Sequence, residues 1–114
     1  MKIAFTTKGI AWNAEMDPRF GRTEYILVYD DIKNEFSHFD NRDIANQAHG
    51  AGPQTAQKLF ELNPDILITG NGPGGNAAAV LKKSGIKVYI GAGEMNVKEA
   101  LNAYKNGVLK EQEL

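Results

Sequence analysis

The chain contains no cysteine, which excludes disulfides, a thiolate nucleophile and the thiolate cradle that usually holds iron–sulfur or zinc centres. It also lacks net charge: 13 Lys and Arg against 14 Asp and Glu leave −1 at pH 7, no field for nucleic acid or an anionic membrane surface. No apolar run approaches the roughly 20 residues needed to cross a bilayer. The opening Met1-Lys2-Ile3-Ala4-Phe5 is too short for a secretory signal, so a cytoplasmic location is expected. Catalytic arrangements are missing too: there is no Ser-centred elbow, no His-x-x-x-His pair and no Gly-Lys-Ser/Thr after a glycine loop. A non-enzymatic role is the expectation.

What is present is an ordinary globular composition, 42% apolar and 24% charged over 114 residues, enough for one domain and too little for two. Lys2–Thr6, Tyr25–Tyr29 and Glu35–Asp40 read as strands, the last two forming a hairpin across the turn residues Asp30–Asn34. Asp65–Thr69 and Lys87–Ile90 are short continuous apolar runs, typical of strands buried on both faces of a parallel sheet. Helical spacing marks Thr55–Leu62, Asn76–Lys83 and Asn96–Lys105, and Asn96 with Glu99 forms a capping-box signature. The charged residues after Leu109 are expected to fray, which gives one domain over 1–109 and a charged tail over 110–114.

The expected order is β-β-β-α-β-α-β-α: an α/β fold with a five-stranded mixed sheet whose second strand alone is antiparallel. Right-handed crossovers then turn the carboxyl ends of the other four strands the same way. That order is that of a ribonuclease H-like three-layer fold. Nucleases of that topology mount metal-binding acids on the first strand. Lys-Ile-Ala-Phe-Thr offers none.

The chemistry collects in four loops, Lys8–Thr23, Asn41–Pro53, Gly70–Asn76 and Gly91–Met95, which the topology brings to one edge of the sheet, where ligands of open α/β folds bind. They hold all three arginines, His49 and the single tryptophan. Arg19 and Arg22 flank Phe20-Gly21 and offer bidentate recognition of oxyanions, or else pair with Asp17 or Glu24 and pin the loop. Gly50 and Gly52 follow His49 just before a helix, where backbone N–H groups and the helix dipole favour an anion. His49 stands at that mouth, able to ligate a metal or protonate a bound group. His38, on an edge strand, reads as solvated.

Gly70, Gly72 and Gly75 formally satisfy G-x-G-x-x-G, and Glu94 follows at about the distance of a ribose-binding acid. A dinucleotide site is nonetheless not expected, because only one βαβ unit surrounds the loop and Pro73 distorts it. Gly70, Asn71, Gly72, Gly74, Gly75 and Asn76 read instead as a backbone nest for an oxyanion or a cluster sulfide. Met16 and Met95 supply the only sulfur near these loops. Loops Lys8–Thr23 and Asn41–Pro53 are long and polar, and are expected to bury little apolar surface.

Four motifs in this order, Arg19-Phe20-Gly21-Arg22 ahead of the aromatic strand at Tyr25, His49-Gly50-Ala51-Gly52, Gly70–Asn76 running into Ala77, and Gly85-Ile86-Lys87-Val88-Tyr89, resemble the dinitrogenase iron–molybdenum cofactor biosynthesis family over nearly the whole chain. These domains are related to cofactor carriers of nitrogenase assembly and to the tail domain of its cluster-forming enzyme. A close branch is similar to the orange protein of sulfate reducers, which holds a molybdenum–copper sulfide cluster noncovalently. The resemblance implies a ribonuclease H-like domain that binds a metal–sulfur cluster or precursor without classical catalysis.

The reading is therefore a small carrier or scaffold for an anionic iron-, molybdenum- or copper-sulfide cluster. An iron–molybdenum precursor and a molybdenum–copper sulfide are the candidate cofactors, with an apo form expected on heterologous production. Arg19, Arg22 and Arg42 would neutralise the cluster, the loop glycines would donate N–H groups, and His49 would be the direct metal ligand. Cluster-donor or ATPase assembly proteins are the expected partners, with no nucleic acid or membrane, and a monomer or weak homodimer. The alternative is a regulatory domain that binds a nucleotide or phosphometabolite on the same nests.

Overall fold

The computed structural model describes residues 1–114 as one mixed sheet between two helical layers. Its strands are β1 (Lys2–Thr7), β2 (Tyr25–Asp30), β3 (Glu35–Asp40), β4 (Ile66–Ile68), β5 (Lys87–Ile90) and β6 (Lys110–Gln112), in the order β3-β2-β1-β4-β5-β6. β1 runs antiparallel to β2 and parallel to β4, β4 is parallel to β5, and β2–β3 is the expected hairpin. The hairpin turn is closed by Asp30, whose Oδ1 accepts the N–H groups of Ile32 and Lys33 at 3.0 and 3.2 Å.

One core cluster joins Ala4, Ile26, Val28, Leu67 and Val88 of the sheet to Ala56 and Leu59 of α2 (Ala51–Leu62) and to Ala77 and Leu81 of α3 (Gly75–Lys82). The opposite face packs Ile3, Phe5, Leu27, Ile66 and Ile68 against Val97, Ala100 and Leu101 of α4 (Val97–Lys105). The period-2 alternation of β1, β2 and β4 thus feeds both layers. α4 has the expected capping box: Glu99 N–H donates to Asn96 Oδ1 at 2.8 Å, and Asn96 N–H to Glu99 Oε1 at 2.9 Å.

The sheet has six strands, not five. Lys110–Gln112, expected to fray, pairs antiparallel with β5. Leu109 and Leu114 explain why: they pack on the second and first core clusters respectively, anchoring a polar strand at both ends. A one-turn helix, α1 (Arg42–Ala45), also stands where a loop was expected.

α2 starts four residues earlier than its apolar spacing suggests, at Ala51 rather than Thr55. Gly50 precedes it in the left-handed region at φ 78°, and Pro53 falls in the first turn, where a missing N–H breaks no helical bond.

Loop Lys8–Thr23 buries much more than expected. Met16 and Phe20 are 1% and 5% exposed, each burial contributing roughly 1.5–3 kcal/mol. The Trp12 ring packs edge-on against Tyr29 and Phe36 at centroid distances of 4.8 and 4.7 Å. Met16 pairs with Thr7, and its N–H donates to Met95 O at 2.9 Å. This loop is tied into the core rather than poised above it.

Candidate anion-binding site

In an open α/β sheet the natural crevice lies beyond the carboxyl ends of adjacent strands. Here that place, above β1, β4 and β5, is filled. Thr6 Oγ1 donates to Asp17 O at 3.0 Å and lies 2.7 Å from the buried Thr69 Oγ1. The next residue, Pro18, wedges between the glycines of two other loops. A methyl group on Gly70 would lie 2.7 Å from Pro18 Cα and 2.9 Å from Gly93 Cα, so neither loop could come so close with a larger residue. Asn71 N–H donates to Pro18 O at 2.7 Å, closing the contact.

Pro18 divides the edge. On one side lies a cleft of about 450 Å³ lined by Arg19, Gly21, Arg22 and the run Ala48–Pro53, including His49, Gly50 and Gly52. Next to it, Arg19, Arg22 and Arg42 with Glu24, Ala45 and Asn46 line a smaller hollow of about 220 Å³. On the other side, Gly70 and Asn71 face Gly91, Gly93, Glu94 and Met95 across a further cleft of about 450 Å³. The basic and glycine-loop residues that the sequence grouped into one site are thus split by the wedge.

The arginines differ in how free their charge is. Asp17 is fully buried and accepts four hydrogen bonds: from Arg19 N, Nε and Nη2 at 3.0 Å each, and from Glu24 N at 3.1 Å. This fork raises the Arg19 pKa, the hydrogen bond to Asp17 being the largest cause. Arg42 makes an equivalent fork with Asp40 at 2.9 and 2.7 Å and stacks over Tyr25. The Arg42 hydrogen bond holds the Asp40 carboxyl at about 2, below its ordinary 3.8. Arg22 alone is paired with no carboxylate; its Nη1 donates to Ala45 O at 2.6 Å and Gln47 O at 3.0 Å, pinning the segment that leads to His49. Of the sequence alternatives for Arg19, pairing with Asp17 is the one present.

Two helix starts supply the remaining positive potential. α2 and α3 begin after Gly50 and Gly74, and neither first turn receives a side-chain cap. The two helices pack together, and a methyl on Gly52 would just touch Ala77 Cβ at 3.9 Å. Gly21 presses on the α2 start so closely that a methyl there would lie 2.7 Å from Gly52 Cα. Gly74 and Gly75 face open space, and Asn76 is exposed. The uncapped N–H groups of the α2 first turn share a cleft with Arg22 and the exposed His49, and those of the α3 first turn neighbour them through Gly52 and Ala77; donors of this kind suit an anion. Gly72 plays another part: its backbone lies directly beneath the Gln112 side chain.

No group of three or more His, Cys, Asp or Glu residues could hold a metal ion. A preassembled anion held by N–H and guanidinium donors fits these residues; a bare cation does not. Sequence reasoning missed the buried role of Asp17, the wedge of Pro18 and the reach of Gln112. Only the first had a local signal, the carboxylate two residues before an arginine.

Residues 1–107 match the family described as dinitrogenase iron-molybdenum cofactor, and the chain belongs to that family. The apo form of the orange protein from Desulfovibrio gigas superposes with a TM-score of 0.89 at 31% identity, covering 97% of this chain and 92% of that one. A NifB-like protein from Thermotoga, of the DUF35 family, gives 0.80 at 34% identity, covering 96% and 91%. No curated protein matched the chain. A cofactor-binding or carrier role is the sense of these relationships. No helix is long and apolar enough to cross a membrane.

Proposed function

We propose that the chain is a small, non-catalytic carrier or scaffold for a preassembled anionic metal–sulfur cluster, held at the start of α2 and α3. The observation that carries this reading is the uncapped α2 start, in one cleft with the one arginine without a carboxylate partner and next to the uncapped α3 start. With no thiolate and a net charge of −1, the chain can hold an anion only through such local donors. In this reading Arg22 and the first-turn N–H groups of Gly52 and Gly75 contact sulfide or oxo groups, Arg19 adds the free part of its guanidinium, and His49 ligates one metal. Family membership and the likeness to an apo-form orange protein support a ligand-accepting role. The ribonuclease H-like description belongs to the same reading and is supported by the order β3-β2-β1-β4-β5 with β2 antiparallel. Transfer to and from assembly proteins is the activity it implies.

The test is anaerobic mixing of the protein with tetrathiomolybdate, with and without copper(I), followed by gel filtration and absorbance. Wild type should co-elute with visible colour, Arg22→Ala should retain about a tenth as much, as expected for losing one charge-assisted contact, and His49→Ala should shift the spectrum. If wild type retains no colour while ATP or inorganic phosphate raises its melting temperature, the nucleotide or phosphometabolite alternative replaces this reading.

A further inference from the structure

We propose that Gln112 is a positioning residue: it fixes loop Gly70–Gly75 and thereby places the first turn of α3 beside that of α2. Gln112 lies outside the 1–107 stretch that matches the family, on the strand that pairs with β5 through Val88–Gln112, Tyr89–Glu111 and Ile90–Lys110. Its Nε2 donates to Pro73 O at 3.0 Å. Its Oε1 occupies the volume a side chain at residue 72 would need, since a methyl on Gly72 would lie 1.4 Å from that oxygen. Gly72 is therefore small for the benefit of Gln112, and its conformation is not one that requires glycine.

The loop has few other restraints near α3. Asn71 is held by Pro18, and Gly70 O accepts from Gly91 N–H at 3.0 Å. Beyond Pro73, Gly74 and Gly75 make no contact that a side chain could use, and two glycines in a row carry the largest backbone entropy to be lost. On the buried Pro73, the bond from Gln112 is the last hydrogen-bonded tether before the helix, and Ala78 N–H, donating to Gly74 O at 2.7 Å, closes the first turn just after it. Without the tether the α3 start drifts from the α2 start while the core contacts of Ala77 and Leu81 hold the rest of the helix.

The experiment is a double-mutant cycle of Gln112→Ala and Gly72→Ala, read by amide exchange at Ala78 and by affinity for tetrathiomolybdate. Each single variant should speed Ala78 exchange by about tenfold, the scale of one lost hydrogen bond, and lower the melting temperature by about 5 °C. The double variant should be little faster than either, because the methyl at residue 72 harms the loop chiefly by displacing Gln112, whereas Ile90 Cγ2, which it would meet at 3.1 Å, need give by only a few tenths of an ångström. Affinity should fall about tenfold in step. Unchanged exchange in the single variants, or additive effects in the double, overturns the proposal, and so does altered exchange with unaltered affinity. The ligand readout rests on the carrier reading; if wild type binds no tetrathiomolybdate, that reading fails, and the exchange cycle alone decides the role of Gln112.

Discussion

Arg19 and Arg22 look interchangeable in the sequence, three residues apart in one loop, but replacing them one at a time should have opposite emphases. Arg19→Ala removes two of the four hydrogen bonds to the Asp17 carboxylate, which is fully buried. Hydrogen bonds to charged groups are worth about 1.5–3 kcal/mol each in buried settings. The Arg19 side chain is 54% exposed, so solvent screens its half of the pair, and a net loss of about 2 kcal/mol for both bonds is expected. For a domain of this size that lowers the melting temperature by about 8 °C. Arg22→Ala removes bonds to two exposed backbone carbonyls that water can replace. It should cost about 0.5 kcal/mol, or a couple of degrees, yet take away the site's one uncompensated positive charge. Calorimetry on the two variants, with tetrathiomolybdate titration on each, separates the roles. An Arg19→Ala protein as stable as wild type would refute the reasoning, as would equal losses of stability in both variants. A cycle with Asp17→Ala should return a coupling near 2 kcal/mol, since each partner's loss strands the other.

Four further outcomes are expected. The Asp40 carboxyl should titrate by NMR near 2; its pKa is lowered on folding, so the Arg42 pair is intact above the ordinary carboxylate range and is lost as pH falls from about 4 through about 2. Asp40→Asn should free Arg42 and strengthen binding of tetrathiomolybdate at low salt, an effect that 0.5 M salt erases by screening. Asn96→Ala removes the side-chain half of the α4 capping box, the Oδ1 that accepts from Glu99 N–H, and leaves the backbone N–H of residue 96 to donate to Glu99 Oε1; it should cost about 1 kcal/mol, or roughly 4 °C by calorimetry. Gly70→Ala forces Pro18 away from its seat and should lower the melting temperature at least as much as Arg19→Ala, whereas Gly74→Ala, in open space, should change it by no more than about 2 °C.

Much of the fold was legible because it is written locally. Continuous apolar runs marked β4 and β5, the aromatic hairpin marked β2 and β3, and Asn96 with Glu99 marked the start of α4. β6 was not legible, since Lys110-Glu111-Gln112 has no apolar alternation and owes its order to Leu109, Leu114 and a neighbouring edge. The start of α2 was hidden because Gly50 and Pro53 read as loop residues, although a left-handed cap and a first-turn proline are both compatible with a helix. For the candidate site, the gathering of loops followed from strand direction alone. The division of those loops did not, because the seat of Pro18 between Gly70 and Gly93 depends on contacts across tens of residues.

The wedge of Pro18 also bears on the rates at which this edge can work. With the strand-end crevice filled, whatever binds must rest on an open rim, against backbone donors that are already in place. Reaching or leaving that rim requires no hinge, no lid and no separation of layers. The residence time of a bound anion is then set by its own contacts and by salt, and another protein approaching from solvent can share those contacts before the first set is broken. On the proposed carrier reading, a rim of this kind leaves direct handover to a partner as open a route as release and recapture.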